Sequence, residues 1–155
     1  MKPNREHLTR RKALTATGLG FAAVVGAPRH ADAAEWTAGE KTNVELVTNF
    51  CAAWPSHDFA KIMSFFADPC SYRVTETQEP YKGRQAVAGR IQSFLDRVIE
   101  FKVIETFAKG PMVFNERVDR FSGGPLRSWH GVGVFFLKDQ KIVEWYDYTI
   151  SADRV

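Results

Sequence analysis

From about residue 101 onward the chain reads as four long strand-like runs with almost nothing between them. The runs cover roughly 101–108, 112–121, 128–137 and 142–150. Their connections are Lys109-Gly110-Pro111, Gly123-Gly124-Pro125 and Lys138-Asp139-Gln140. A parallel pair needs a crossover of a dozen or more residues, so connections this short require neighbouring strands to pair antiparallel, as a meander. The first half has the other periodicity. Val47, Phe50, Cys51 and Trp54 recur at i, i+3, i+4, i+7 in a helix over about 42–54, which Pro55 stops. Ser56 can cap a second helix carrying Phe59, Ile62, Met63 and Phe66. A short strand over 70–75 and a polar loop over 75–80 follow, the loop with room for a short strand of its own. Gly83 then precedes a third helix with Val87, Ile91, Phe94, Leu95 and Val98 along one side. Helices first and a meander after them predict an α+β domain: about three helices on one face of a curved, mostly antiparallel sheet. Strong curvature leaves an apolar pocket between the two layers.

The domain is expected to occupy 35–155. Thr9-Arg10-Arg11-Lys12-Ala13-Leu14 is a twin-arginine pattern, a mildly apolar run from Ala13 to Ala27 follows, and Ala31-Asp32-Ala33-Ala34 has the form of a cleavage site. Residues 1–34 are therefore read as a twin-arginine export signal that is removed, with a periplasmic or secreted destination. The run is too short for a membrane span, so no membrane association is expected after cleavage. The signal carries six Lys/Arg and two Asp/Glu. Removing these from 21 and 18 leaves 15 basic and 16 acidic residues. The formal net charge of +3 thus belongs to the signal, and a near-neutral mature chain argues against nucleic acid as a partner. The export route permits a bridge between Cys51 and Cys70, with buried thiols as the alternative. With no C-x-x-C and no His cluster, no metal is expected.

Within the second run, Arg117 and Asp119 are two residues apart and share a face with Val113 and Phe121. That face looks inward. Asp147 lies in the fourth run, on the face of Val143 and Trp145. Two inward carboxylates and one arginine carry a net −1 in an apolar setting, and one added proton makes the group neutral. The two aspartates should therefore share a proton near neutral pH and titrate as a pair. One can then accept a proton while the other gives one. The blander account is a buried charge network with no chemistry. Tyr72 can add a hydroxyl nearby, and Phe94, Phe101, Phe121, Trp129, Phe135 and Trp145 can line an apolar pocket. Gly131 and Gly133 mark close approach or curvature and leave room at the wall. By strand parity His130 faces the opposite, convex side.

Glu116-Arg117-Val118-Asp119, Trp145-Tyr146-Asp147-Tyr148, the earlier Tyr72 and Glu105-Thr106-Phe107 resemble the limonene-1,2-epoxide hydrolase family in order and spacing, over about 42–150. The resemblance implies the cone-shaped α+β fold of nuclear transport factor 2 and ketosteroid isomerase. It also implies an Asp–Arg–Asp triad that opens an epoxide in one step without a cofactor. Asp147 would be the base, Asp119 the acid, Arg117 the bridge, and Tyr72 a ligand of the attacking water. The family's further water ligand is an asparagine two residues after that tyrosine, where this chain has Val74. Thr75 would point to the other face of an unbulged strand, leaving Asn115 as the candidate to take its place. The expected function is hydrolysis of a small or medium apolar epoxide by water to a vicinal diol. The alternatives are an epoxide-opening cyclase or isomerase of the same fold, and a non-catalytic small-ligand-binding protein. Val74, Phe94, Phe101, Phe121, Trp129, Gly131 and Trp145 are the expected substrate contacts, and a homodimer is the expected assembly.

Overall fold

The computed structural model describes residues 35–154; the proposed signal lies outside them. Helix α1 (Ala38–Ala53) begins four residues earlier than the apolar stripe indicates. Its start is set by a capping box: Glu40 N donates to Thr37 Oγ1 at 3.2 Å, and Thr37 N donates to Glu40 Oε2 at 2.9 Å. A short 3₁₀ turn (Trp54–Ser56) contains Pro55, and the next cap is Asp58 rather than Ser56. Asp58 Oδ1 accepts from Lys61 N at 2.9 Å and starts α2 (Phe59–Ser64).

Strand β1 (Phe66–Arg73) starts earlier and ends sooner than expected, and β2 (Tyr81–Lys82) follows the 75–80 loop. Helix α3 (Arg84–Leu95) comes next. The meander is β3 (Val98–Lys109), β4 (Met112–Phe121), β5 (Leu126–Lys138) and β6 (Lys141–Arg154). The six strands form one sheet in the order β2-β1-β6-β5-β4-β3. The meander is antiparallel throughout, as its connections require. The exception is β1, which pairs parallel with β6; the long stretch of chain between Arg73 and Lys141 supplies the crossover that a parallel pair needs.

The sheet bends through β-bulges. On β3 the register skips Ile99 and Ile104; on β6 it skips Val143 and Ile150. An unpaired extra residue kinks its strand and increases the twist. The bulge at Val143 also corrects the expected parity of β6: Ile142, not Val143, shares the inward side with Trp145 and Asp147. Between helices and sheet the core centres on Phe50. Its ring meets those of Trp54, Phe65, Phe66, Phe135 and Trp145 edge-on at 5.2–5.9 Å, a preferred aromatic geometry. Cys51 and Cys70 are both buried free thiols. No described helix is long and apolar enough to cross a membrane.

Candidate functional site

The inward face of β4 carries Val113, Asn115, Arg117 and Asp119, all buried. Neighbouring β5 places Gly133 and Gly131 opposite Asn115 and Arg117, and Trp129 opposite Asp119. One strand further, Asp147 of β6 is paired with Gly133. A Cβ on Gly133 would lie 2.5 Å from Arg117 Nη1, so this glycine makes room for the guanidinium to lie across the sheet. Arg117 Nε donates to Asp119 Oδ1 at 3.0 Å and Oδ2 at 3.2 Å, and Nη2 donates to Asp147 Oδ1 at 2.9 Å. The guanidinium carbon sits 5.1 Å from the Phe101 ring centre, 4.9 Å from that of Trp129 and 5.4 Å from that of Trp145. Aromatic faces thus surround the cation and exclude water from it.

The two carboxylates are not equivalent. Asp147 accepts from Arg117, from Trp145 Nε1 at 2.7 Å and from Tyr72 Oη at 3.3 Å. Asp119 accepts from Arg117 alone. Burial pushes the Asp119 carboxyl up to about 7; Arg117 pulls it down and the charge of Asp147 pushes it up. Burial also raises Asp147, against the lowering effect of Arg117, Trp145 and Tyr72. Donors to a carboxylate favour its charged form. When one proton is shared, Asp119 is therefore its favoured holder and Asp147 the charged partner. Burial and the charge of Asp147 hold the Tyr72 phenol well above its ordinary range, so it stays a donor. Its ring stacks on Trp145 with centres 3.9 Å apart.

A cavity of about 280 Å³ opens above this group. Tyr72, Asp119 and Asp147 line it, as do five of the expected contacts: Val74, Phe94, Phe101, Phe121 and Trp129. Three other residues stand behind the wall. Trp145 is fully buried and reaches the site through Asp147. Gly131 makes room for a side chain, not for ligand: a Cβ there would lie 2.2 Å from the Trp129 ring. Asn115 does not line the cavity. Its Nδ2 donates to Thr106 Oγ1 at 2.6 Å and its Oδ1 accepts from Cys51 Sγ at 3.5 Å, so its hydrogen bonds are made inside the core. Burial pushes that thiol up to about 12 and keeps it protonated.

Residues beyond the sequence reading complete the wall. Because β1 ends at Arg73, strand parity does not govern the next residues, and Val74, Thr75 and Gln78 all face the cavity. The bulge at Ile150 has a similar effect on β6: Thr149, Ala152 and Arg154 line the cavity across a change of parity. Arg90, Ser93 and Arg97 add polar groups from α3 and the segment after it. His130 lies on the outer face, 2.8 Å from Glu116 Oε1. Among the described residues no cluster of His, Cys, Asp and Glu is placed to hold a metal ion.

An LEH-like epoxide hydrolase from M. tuberculosis shares this structure with a TM-score of 0.63 and 28% identity, over 71% of this chain and 84% of that one. An NTF2-like protein of unknown function from Mesorhizobium loti matches with a TM-score of 0.63 and 20% identity, over 76% and 98% of the two chains. A candidate polyketide cyclase from Xanthomonas campestris pv. campestris matches with a TM-score of 0.59 and 18% identity, over 71% and 91%. These matches show the NTF2-like α+β fold, and the first supports the resemblance to limonene-1,2-epoxide hydrolases. The model of the SnoaL-like domain matches residues 47–145, from the stripe of α1 to the tryptophan behind Asp147, and the chain belongs to that family.

Proposed function

We propose that the protein is a cofactor-independent epoxide hydrolase. The observation that carries this reading is the unequal pair of aspartates on one arginine at the base of an apolar cavity. In the proposed reaction a water oxygen forms a bond to an epoxide carbon and the opposite C–O bond breaks. Asp147 takes the proton that water loses, and Asp119 gives its proton to the epoxide oxygen as it leaves. The product is a vicinal diol. The acid then regains its proton from Asp147, which restores the starting state. Arg117 keeps both carboxylates in place, and its charge favours the state in which they share one proton. Tyr72 donates to Asp147 and lines the cavity, and in this reading its oxygen is a further ligand of the attacking water.

Val74 motivates a second reading. Its side chain offers the water no hydrogen bond, and Asn115 is engaged elsewhere. An epoxide-opening cyclase or isomerase, with an internal hydroxyl or proton transfer in place of water, needs no such ligand. Incubation with an apolar epoxide in ¹⁸O-water tests both. A diol carrying one labelled oxygen is the expected result. Unlabelled, rearranged product supports the second reading, and saturable binding without turnover supports a ligand-binding protein.

A further inference from the structure

The acid–base pair occupies only the deep end of the cavity. Three arginines from three separate segments line the same cavity: Arg90 on α3, Arg97 after it, and Arg154 at the end of β6. Asp119 and Asp147 are 4% and 3% exposed, whereas Arg90 and Arg97 are half-buried and Arg154 is exposed. The arginines therefore form the rim. Phe94, Phe101, Phe121, Leu126 and Trp129 lie in the same wall and give it an apolar lining.

Isolated rim arginines would be ordinary surface charge. These line the cavity without an ion pair to any described residue. The ion pairs among the described residues join Arg117 to Asp119 and Asp147, Arg120 to Glu100, and His130 to Glu116; none involves the rim. Neutral groups orient two of the rim guanidiniums instead. Arg90 Nη1 donates to Ser93 Oγ at 2.8 Å, and its guanidinium carbon lies 4.8 Å from the Phe94 ring centre. Arg97 donates from Nε to Ser122 O at 3.4 Å and from Nη2 to Gly123 O at 3.1 Å. Gly124 leaves space for it: a Cβ there would lie 2.6 Å from Arg97 Nη2. Arg90 Nη2 and Arg97 Nη1 make no hydrogen bond within the described residues. Oriented positive groups at an aperture with no carboxylate partner offer the donors and charge that an anion needs.

We infer that the substrate is amphipathic: an apolar chain with its epoxide at the deep end and a carboxylate held at the rim by Arg90, Arg97 and Arg154. Unpaired nitrogens on both oriented guanidiniums, Nε and Nη2 of Arg90 and Nη1 of Arg97, suit the two oxygens of a carboxylate. The position of the reactive group rests on the hydrolase reading; the recognition of the anion does not. An ω-epoxy alkanoate of medium chain length has the required chemistry.

The test uses unreactive probes first. Calorimetry with the full chain compares decanoate, decan-1-ol and decyl phosphate at pH 8 and low salt. The expected result is decanoate binding at least about tenfold tighter than decanol, the low end for a charge-assisted hydrogen bond. Added salt should erode this preference. Arg97→Gln and Arg154→Gln should each lower the decanoate-to-decanol affinity ratio; Arg154 is exposed, so its variant keeps the test valid if Arg97→Gln does not fold. Equal affinity for acid and alcohol, or a ratio unmoved in both variants, overturns the inference. Decyl phosphate binding tighter than decanoate overturns the carboxylate assignment. The second arm measures turnover of 9,10-epoxydecanoate against its methyl ester. A decanoate preference without turnover of either epoxide sinks the hydrolase reading and leaves the anion site standing. Equal kcat/KM for acid and ester without that preference does the reverse.

Discussion

At the scale of single residues, chemistry is divided among side chains of the same type by what surrounds them. Asp119 and Asp147 differ mainly in their donors. Replacing either by Asn should reduce turnover by about 10²–10⁴-fold, the usual contribution of a positioned acid or base, while leaving the fold intact. With the Asp119 carboxyl near 7, kcat should fall as pH rises through about 7 and the acid is lost. Stability should follow the same group. Its folded-state value lies above the ordinary 3.8, so the native state holds the proton more tightly than the unfolded chain does. Its contribution is therefore complete below about pH 4 and is lost as pH rises through about 7. In Asp119→Asn that part of the decline in Tm should vanish; a wild-type slope in the variant would locate the proton elsewhere. Gly133→Ala tests the arginine from behind. The added carbon meets Arg117 Nη1 at 2.5 Å and Phe135 Cε2 at 2.7 Å. Overpacking of this kind costs about 1–3 kcal/mol, and an ångström-level shift of the guanidinium can lower kcat about a hundredfold. Wild-type kinetics in that variant would show that the arginine's position is not critical.

At the scale of elements, bulges in the strands shape the site, and the capping of α1 ties that helix to the sheet. Bulges at Val143 and Ile150 divide β6 into three stretches. The middle stretch holds Trp145, Asp147 and Thr149 inward, and the last brings Ala152 and Arg154 to the cavity. The capping box on α1 does more than start a helix, because Glu40 Oε1 also accepts from Gly110 N in the β3–β4 turn at 2.8 Å. Thr37→Ala should lower stability by about 1 kcal/mol, the usual scale for a lost cap, in a urea titration with unchanged slope. Since the cap is remote from the triad, kcat should be unaffected.

At the scale of the whole molecule, the sheet's outer face and the chain's first residues are addressed by direct measurements. Phe107, Tyr148 and the bulge isoleucines Ile99, Ile104 and Ile150 are exposed. Phe107 stacks on Phe114 with centres 4.9 Å apart. Such apolar exposure suits the expected homodimer. Sedimentation velocity should show a dimer, and Val132→Glu on the outer side of β5 should give a monomer. A monomer in the parent chain would remove the expectation. Exported protein should begin near Ala34 or Glu35 by N-terminal sequencing; active exported protein that retains Met1 would exclude a cleaved signal.

The sequence by itself determined the meander, because connections of two to four residues permit antiparallel neighbours only, and it placed the helical stripes ahead of the four long strands that begin near residue 98. It also determined the inward face of β4, since Arg117 and Asp119 lie two apart on a strand with unbroken register. Tertiary structure decided the rest. Parity stops being a guide wherever a bulge adds a residue or a strand ends, which is why Val143, Thr75 and Arg154 could not be placed from spacing. Burial alone did not place Asn115 either: an inward side chain can face a cavity or another side chain, and here Cys51 and Thr106 engage it. The glycines show the same limit. Gly131 and Gly133 are legible as gaps, but only the packed structure shows that the Trp129 ring and the Arg117 guanidinium occupy the space they leave.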